Sequence, residues 1–185
     1  KTLSKTAKLL VAKGSDMYEP IRTLGFDMIQ VADHEECNLG RGVLCRIMET
    51  RNSDTLMAIS DGKETCLNLN DALHALSTPI RKEFTERVKK LYPSVTYLFC
   101  GYGTASHFPN CYIVPGVDRA KTAVKRQHYF NRVWADIVWE LAPQFAFPFA
   151  ANVVFLEDDL FWMNESVHNS ERPTEVFQRL HRGSS

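Results

Sequence analysis

The sequence of 185 residues lacks the patterns that mark several common protein classes. Its formal net charge is zero, with 22 Lys and Arg against 22 Asp and Glu, so wholesale binding to nucleic acid or to an anionic membrane is not favoured. No apolar run approaches the roughly 20 residues that a membrane-spanning helix needs, and the run Leu9–Ala12 is too short for a signal peptide. We therefore predict a cytoplasmic protein that does not associate with membranes.

Metal-binding and disulfide motifs are also missing, although six histidines and five cysteines are present. The cysteines form no CxxC pair, which argues against a structural zinc knuckle and a disulfide framework, and predicts reduced thiols. The histidines form no HxH, HxxH or HExxH set, in which neighbouring imidazoles share one ion. Any metal site must therefore gather its ligands from separate segments of the chain.

The hydrophobic pattern predicts one layered α/β or α+β domain, with a mixed sheet covered by helices. Strands cluster first and then alternate with helices. The Asp61-Gly62 pair predicts a hairpin, and Pro148 predicts either an edge strand or a strand that ends in a bend. The other predicted features are an initial helix before Gly14, a short helix over 17–26, a loop over 36–42, a helix that starts at Ser77–Pro79, a long helix from Gly116 to Leu141 and a last helix near Pro173.

Two positions at predicted strand ends are candidates for chemistry. Asp71 follows the strand "TCLNLN", where its carboxylate can either bind a metal ion or cap the following turn by accepting backbone N–H groups. The loop "GYGTASHFPN" follows a buried strand, a place where ligands often bind. It departs from GxGxxG at Ser106, so we interpret it either as a plain structural turn or as a tight loop that presents Tyr102, Ser106 and His107 to a cleft.

Two further sites have weaker support. Cys100 or Cys111 with His107 resembles a nucleophile pair, but the apolar surroundings of both thiols oppose their ionisation. The long helix carries several basic side chains that could contact phosphates or simply form its solvated face. These basic residues are Arg119, Lys121, Lys125, Arg126 and Arg132.

Three segments together resemble the second half of a metallo-β-lactamase-fold protein, in the branch near the UlaG-like proteins and the CMP-sialic acid hydroxylases. They are "AISDGKETCLNLND", "YLFCGYGTASHFPNCY" and "FPFAANVVFLEDDLFWMNESV". The resemblance implies that residues 1–185 form the C-terminal part of an αββα sandwich of two sheets between helices. It also implies that Asp71 is the metal-bridging aspartate and that the cofactor is zinc or another divalent metal.

The sequence departs from that family at two ligand positions. The HxHxDH cluster of the first half is absent, and the last histidine ligand falls near Pro148–Ala151, which reads "PFAA". Because the chain starts at Lys1 rather than at methionine, an excised domain, a processed product and part of a longer chain are all open. Either an upstream segment or a second polypeptide completes the fold, or the metal site has decayed.

Three functions remain open at this point. The resemblance implies a metal-dependent hydrolase-like protein that uses a metal-activated water to attack an ester, amide or phosphodiester. The first alternative is a non-catalytic binding or assembly module of the same fold. The second is a small nucleic-acid-binding protein that uses the long basic helix, which the balanced charge disfavours.

Overall fold

The computed structural model describes residues 4, 6–51, 54–103, 111–151, 154–164 and 170–181. The strands in these parts of the chain are β1 (Lys8–Ala12), β2 (Asp27–Val31), β3 (Glu36–Gly40), β4 (Val43–Glu49), β5 (Thr55–Ser60), β6 (Thr65–Asn70), β7 (Tyr97–Gly101) and β8 (Phe145–Phe149). The helices are α1 (Tyr18–Thr23), α2 (Thr78–Leu91), α3 (Arg119–Leu141) and α4 (Pro173–His181), and a 3₁₀ turn covers Asp158–Leu160.

Six strands form one mixed sheet in the order β3-β4-β5-β6-β7-β8. Strands β3 to β6 pair antiparallel, whereas β6, β7 and β8 pair parallel. Helix α2 connects β6 to β7, and α3 connects β7 to β8. The predicted layered α/β class is therefore confirmed, and β8 with Pro148 is an outer strand as expected.

Two predictions for the N-terminal part are wrong. The predicted first helix is strand β1, which pairs parallel with β2 in a separate two-stranded sheet. The predicted loop over 36–42 contains strand β3, which pairs with β4 and has a register shift between Asn38 and Gly40. In both places partner strands supply the hydrogen bonds that override the local pattern.

The hydrophobic core lies between one face of the six-stranded sheet and helices α2 and α3. Alternate residues of the central strands point to this face, as the period of a strand requires. Trp134 of α3 and Val88 of α2 are buried against them. The buried strand residues in this core are Met48, Leu56, Ala58, Leu67, Leu69, Leu98 and Cys100.

An ion-pair cluster joins α2 to α3 beside this core. The buried guanidinium of Arg81 lies 3.3 Å from Asp136 Oδ2 and 3.3 Å from Glu140 Oε1. The Thr85 hydroxyl donates to Glu140 Oε2 at 3.1 Å. Two carboxylates therefore compensate the charge of one buried cation, and the Thr85 hydroxyl holds one of these carboxylates in place.

The opposite face of the sheet is apolar but remains partly exposed. Stacked aromatic pairs join β7 and β8 there: Tyr97 with Phe145 at 5.7 Å between ring centroids, and Phe99 with Phe147 at 4.9 Å. Phe145 and Phe147 are 48% and 41% exposed. A sheet face of this composition is normally covered by another layer.

No helix in the described part of the chain combines the length and the apolar character needed to cross a bilayer.

Candidate functional site at the carboxyl edge of the sheet

The parallel strands β6, β7 and β8 end at the same edge of the sheet. Asn70 of β6 pairs with Cys100 of β7, and Gly101 pairs with Phe149 of β8. The loops that follow these strand ends include Asp71 and Tyr102, which the sequence nominated. Carboxyl ends of adjacent parallel strands are the usual ligand-binding position in open α/β sheets, so this edge is the candidate site.

Asp71 is an exposed carboxylate at this edge. The preceding Asn70 has a positive φ of 47°, which turns the chain sharply as β6 ends. The Asn70 side-chain amide donates to Asp71 Oδ1 at 2.8 Å. No helix begins here, because a turn follows in which the His74 N–H donates to the Asp71 carbonyl at 2.9 Å, and α2 starts only at Thr78. Asp71 therefore does not start a helix, and its carboxylate faces solvent beside the strand end.

A second carboxylate lies near Asp71. Asp54 directly precedes β5, which pairs antiparallel with β6 as far as Met57 and Asn68, so Asp54 and Asp71 both lie beyond the same end of this strand pair. Partial burial and, second, the negative charge of Asp71 raise the pKa of the Asp54 carboxyl. The sequence analysis missed Asp54. The predicted hairpin at Asp61-Gly62 contains the signal, because a hairpin brings the start of its first strand next to the end of its second.

His74 is a buried neighbour of Asp71 that the sequence analysis also missed. It is 4% exposed, and its ring packs against Phe130 with 5.4 Å between centroids. Burial lowers the pKa of His74, while the Asp71 charge and the Gly101 backbone oppose that shift. The ring is therefore held neutral beside the candidate site.

We predict that His74 makes folding stability fall as the solution becomes acidic. Its pKa in the unfolded chain is about 6.5 and is lower in the folded protein, so below that pH the unfolded chain binds a proton that the folded chain does not. The free energy of unfolding therefore decreases as the pH falls through 6.5 and stops responding below the folded-state pKa. Urea unfolding of His74→Gln at several pH values should show a weaker pH dependence than that of the native chain.

His128→Gln is the matched control, because His128 is exposed on α3. It controls for the loss of an exposed imidazole, and His74→Gln should reduce the pH dependence of unfolding more than His128→Gln does. Identical slopes for His74→Gln and the native chain would contradict the assignment.

Close backbone contacts shape the loop after β7. A Cβ atom on Gly101 would lie 2.9 Å from the Asn70 carbonyl oxygen, and one on Gly103 would lie 2.9 Å from the Ala150 carbonyl oxygen. Only glycine permits such approaches without displacing backbone. The two glycines thus let the ends of β6, β7 and the segment after β8 lie against one another.

Helix α3 fixes the same loop with three buried polar side chains. Trp134 Nε1 donates to the Cys100 carbonyl at 3.1 Å, and Gln127 Nε2 donates to the Tyr102 carbonyl at 3.2 Å. Gln127 Nε2 also lies 2.7 Å from Asn131 Oδ1, and Asn131 Nδ2 donates to the Glu171 carbonyl at 2.5 Å. The start of the loop is therefore tied both to α3 and to the segment that precedes α4.

The other predicted site residues are three predicted cleft residues and one candidate nucleophile. Tyr102 is half-buried and its side chain packs against the hydrophobic core, so only part of it faces the edge. Ser106 and His107 lie outside the described residues, and their role in a cleft stays a prediction. Cys100 is 1% exposed, and burial, followed by the charge of Asp71, raises the pKa of its thiol, which opposes a nucleophilic role.

The described residues do not form a metal centre by themselves. Across residues 4, 6–51, 54–103, 111–151, 154–164 and 170–181, no three His, Cys, Asp or Glu side chains are grouped to hold one ion. Zinc sites use about four donors, and calcium or magnesium sites about six or more. Asp71 is the one nominated ligand here, so the described part of the chain does not fit a complete metal site.

Comparisons with known proteins bear on the fold. No family model matches the chain, and no curated protein matches it. Among solved structures, CmlA, a diiron beta-hydroxylase from Streptomyces venezuelae, matches with a TM-score of 0.55 and 20% identity over 94% of this chain and 36% of that chain. A mutant of the CmlA beta-hydroxylase matches with a TM-score of 0.55 and 21% identity over 94% of this chain and 35% of that chain.

This likeness shows the fold. CmlA has the metallo-β-lactamase fold, so the predicted relation to that fold is confirmed, whereas the nearer relation to the UlaG-like or CMP-sialic acid hydroxylase branch stays a prediction. The chain spans about a third of the length of the solved proteins it matches. The fold is one that a diiron enzyme uses.

Proposed function

We propose that this chain is the C-terminal part of a metal-dependent, hydrolase-like protein of the metallo-β-lactamase fold, within which residues 1–185 are one domain. The observation that carries the proposal is the exposed carboxylate of Asp71. It directly follows β6, at the edge where the parallel strands β6 and β7 both end. Asp71 would be one ligand of zinc, iron or another divalent metal. Tyr102, Ser106 and His107 would line the substrate cleft.

The other ligands would come from an upstream segment or a second polypeptide. The described residues of this chain contribute too few donors for a metal centre by themselves. What it offers to a completed site is a carboxylate on a fixed strand end, held beside Asn70 by a 2.8 Å hydrogen bond. Hydrolysis is the reaction implied by the resemblance, and the diiron beta-hydroxylase CmlA supports metal use without supporting hydrolysis.

The half-exposed aromatic face supports the same conclusion and also favours the second candidate, a binding or assembly module. The face of β7 and β8 that carries Phe145 and Phe147 is turned away from α2 and α3. In an αββα sandwich the second sheet packs on such a face, with side chains interdigitating between the two layers. We infer that the segment that completes the fold binds here, whether or not the assembled protein is catalytic.

The nucleic-acid alternative has less support. Of the basic side chains on α3, Lys121 pairs with Asp118 at 3.2 Å, and Arg119 and Arg126 lie over the rings of Trp162 and Phe130. Three of the five basic side chains on α3 are therefore engaged in contacts within the chain. This reduces the number of cations that α3 could offer to a row of phosphates.

Phe147→Asp should weaken binding of the completing segment at least tenfold, because it would introduce a charge into the centre of the apolar face. The probe is the candidate completing segment, either an upstream segment or a polypeptide that co-purifies with the chain, produced separately and titrated against the 185-residue chain by calorimetry. Tyr129→Asp is the matched control, since Tyr129 is an aromatic residue 52% exposed on α3. Equal affinities of the two variants, or no binding by the native chain, would contradict the proposed completion.

A further inference from the structure

Two of the five free cysteines face each other across a strand pair. Cys37 of β3 and Cys45 of β4 are direct Cα partners in the antiparallel register. Directly opposed residues in such a ladder have Cα atoms about 4.5 to 5.5 Å apart, with both side chains on the same face. A disulfide needs a Cα separation of about 4.4 to 6.8 Å. The backbone therefore already has the spacing that a cross-strand disulfide requires.

The other cysteines lack such a partner, and all five lie in described parts of the chain. Cys66 of β6 is on the same row, but Ile59 of β5 stands between it and Cys45. Cys100 is buried on the opposite face, and Cys111 is exposed in a loop. Cys37 and Cys45 are thus the pair that the sheet holds in adjacent positions.

The two thiols differ in their access to solvent. Cys45 is 2% exposed, whereas Cys37 lies on the outer strand β3 and is half-buried. Burial and, second, the neighbouring Cys37 thiol raise the pKa of Cys45, which indicates that the two sulfur atoms lie near each other. A reagent from solvent would therefore meet Cys37 first.

We propose that Cys37 and Cys45 form a reversible cross-strand disulfide by exchange with a small-molecule disulfide such as oxidised glutathione. Cys37 loses its proton to solvent, and its Sγ attacks one sulfur of oxidised glutathione, whose S–S bond breaks and releases a glutathione thiolate. Cys45 then loses its proton and attacks Cys37 Sγ, which releases the second glutathione. Two protein thiols are oxidised to one disulfide, and one glutathione disulfide is reduced to two thiols that take up the two protons.

The proposed bond would fix the outer strand β3 to β4. Strand β3 pairs with one neighbour in the described sheet, and its register shifts between Asn38 and Gly40. The cross-link would join the two strands at Cys37 and Cys45, which lie farther from the hairpin turn than this register shift. Cys37 and Cys45 would thus be a modification site whose oxidation state follows the thiol–disulfide balance of its surroundings.

The test is to expose the folded 185-residue chain to oxidised glutathione, block free thiols with N-ethylmaleimide and map the peptides by mass spectrometry. The native chain should yield one linked peptide pair that contains Cys37 and Cys45 and is lighter by two hydrogen atoms than the sum of the two reduced peptides, and dithiothreitol should reverse the link. Cys100 should remain a free thiol throughout, since it is 1% exposed and reacts only if the chain unfolds.

Three variants test which cysteines form the disulfide. Cys45→Ser should trap a stable glutathione adduct on Cys37, and Cys37→Ser should leave Cys45 unmodified. Cys66→Ser, the matched control on the same sheet row, should form the same disulfide as the native chain. The proposal is overturned if native Cys37 stays reduced or keeps a stable glutathione adduct, or if the linked pair involves another cysteine.

Discussion

Replacing Trp134 by alanine lowers the free energy of unfolding by about 3 to 5 kcal/mol, the range found when a large buried aromatic side chain is truncated. Trp134 is 2% exposed, lies in the core between α3 and the sheet, and donates from Nε1 to the Cys100 carbonyl at 3.1 Å. The substitution therefore opens a cavity and removes a donor from a buried carbonyl. Urea unfolding followed by circular dichroism measures the loss.

Two companion variants separate these effects. Trp134→Phe keeps most of the buried volume but lacks the N–H donor, so it should cost about 1 to 3 kcal/mol. Trp139→Ala is the matched control, because Trp139 is on the same helix but 45% exposed, and we expect it to cost less than Trp134→Phe. A Trp134→Ala chain within about 1 kcal/mol of the native chain would contradict the packing described for α3.

Local sequence patterns predicted those elements whose ends are set by nearby residues. The hairpin of β5 and β6 forms where Asp61 Oδ1 accepts the N–H groups of Lys63 and Glu64, and Gly62 adopts a positive φ of 84°. Helix α2 starts after Ser77 with Pro79 near its first position, as predicted. Helix α3 begins at Arg119 rather than at Gly116, because Asp118 caps it by accepting from the Lys121 N–H at 3.0 Å.

Non-local pairing explains what local patterns could not predict. The apolar run Leu9–Ala12 suits a helix or a strand, and its partner β2 follows only after α1. Strand β3 contains Gly40 and lies close to Gly42, which made it resemble a loop, yet pairing with β4 supplies its hydrogen bonds. Short segments of this kind are decided by their partners.

The candidate site was predictable in part for the same reason. Asp71 stood out because a polar cluster follows an apolar strand, which is a local signal. Asp54 and His74 did not stand out, since one reaches the site through strand register and the other through burial against Phe130. The buried amides Gln127 and Asn131 were hidden within an amphipathic helix pattern, and no local signal distinguishes them from solvent-facing polar residues.

Asp71→Asn should abolish stoichiometric metal binding in the completed protein, the second large effect that we expect. A carboxylate is a charged ligand for a divalent cation, and an amide at the same position supplies a neutral oxygen that binds hard cations more weakly. The Asn70 side-chain donor next to Asp71 can also bond to an amide oxygen, so the turn should survive the change. Asp27→Asn is the matched control, because Asp27 is exposed at the start of β2 on the separate two-stranded sheet.

The most direct test is the metal content per chain, measured by inductively coupled plasma mass spectrometry. The samples are the purified 185-residue chain and its complex with the completing segment. We expect no stoichiometric zinc, iron or manganese in the chain alone, and at least one ion per chain in the complex. That ion should be lost in Asp71→Asn and retained in Asp27→Asn. A native complex without metal, or an Asp71→Asn complex that keeps the native metal content, would contradict the assignment of Asp71 as a metal ligand.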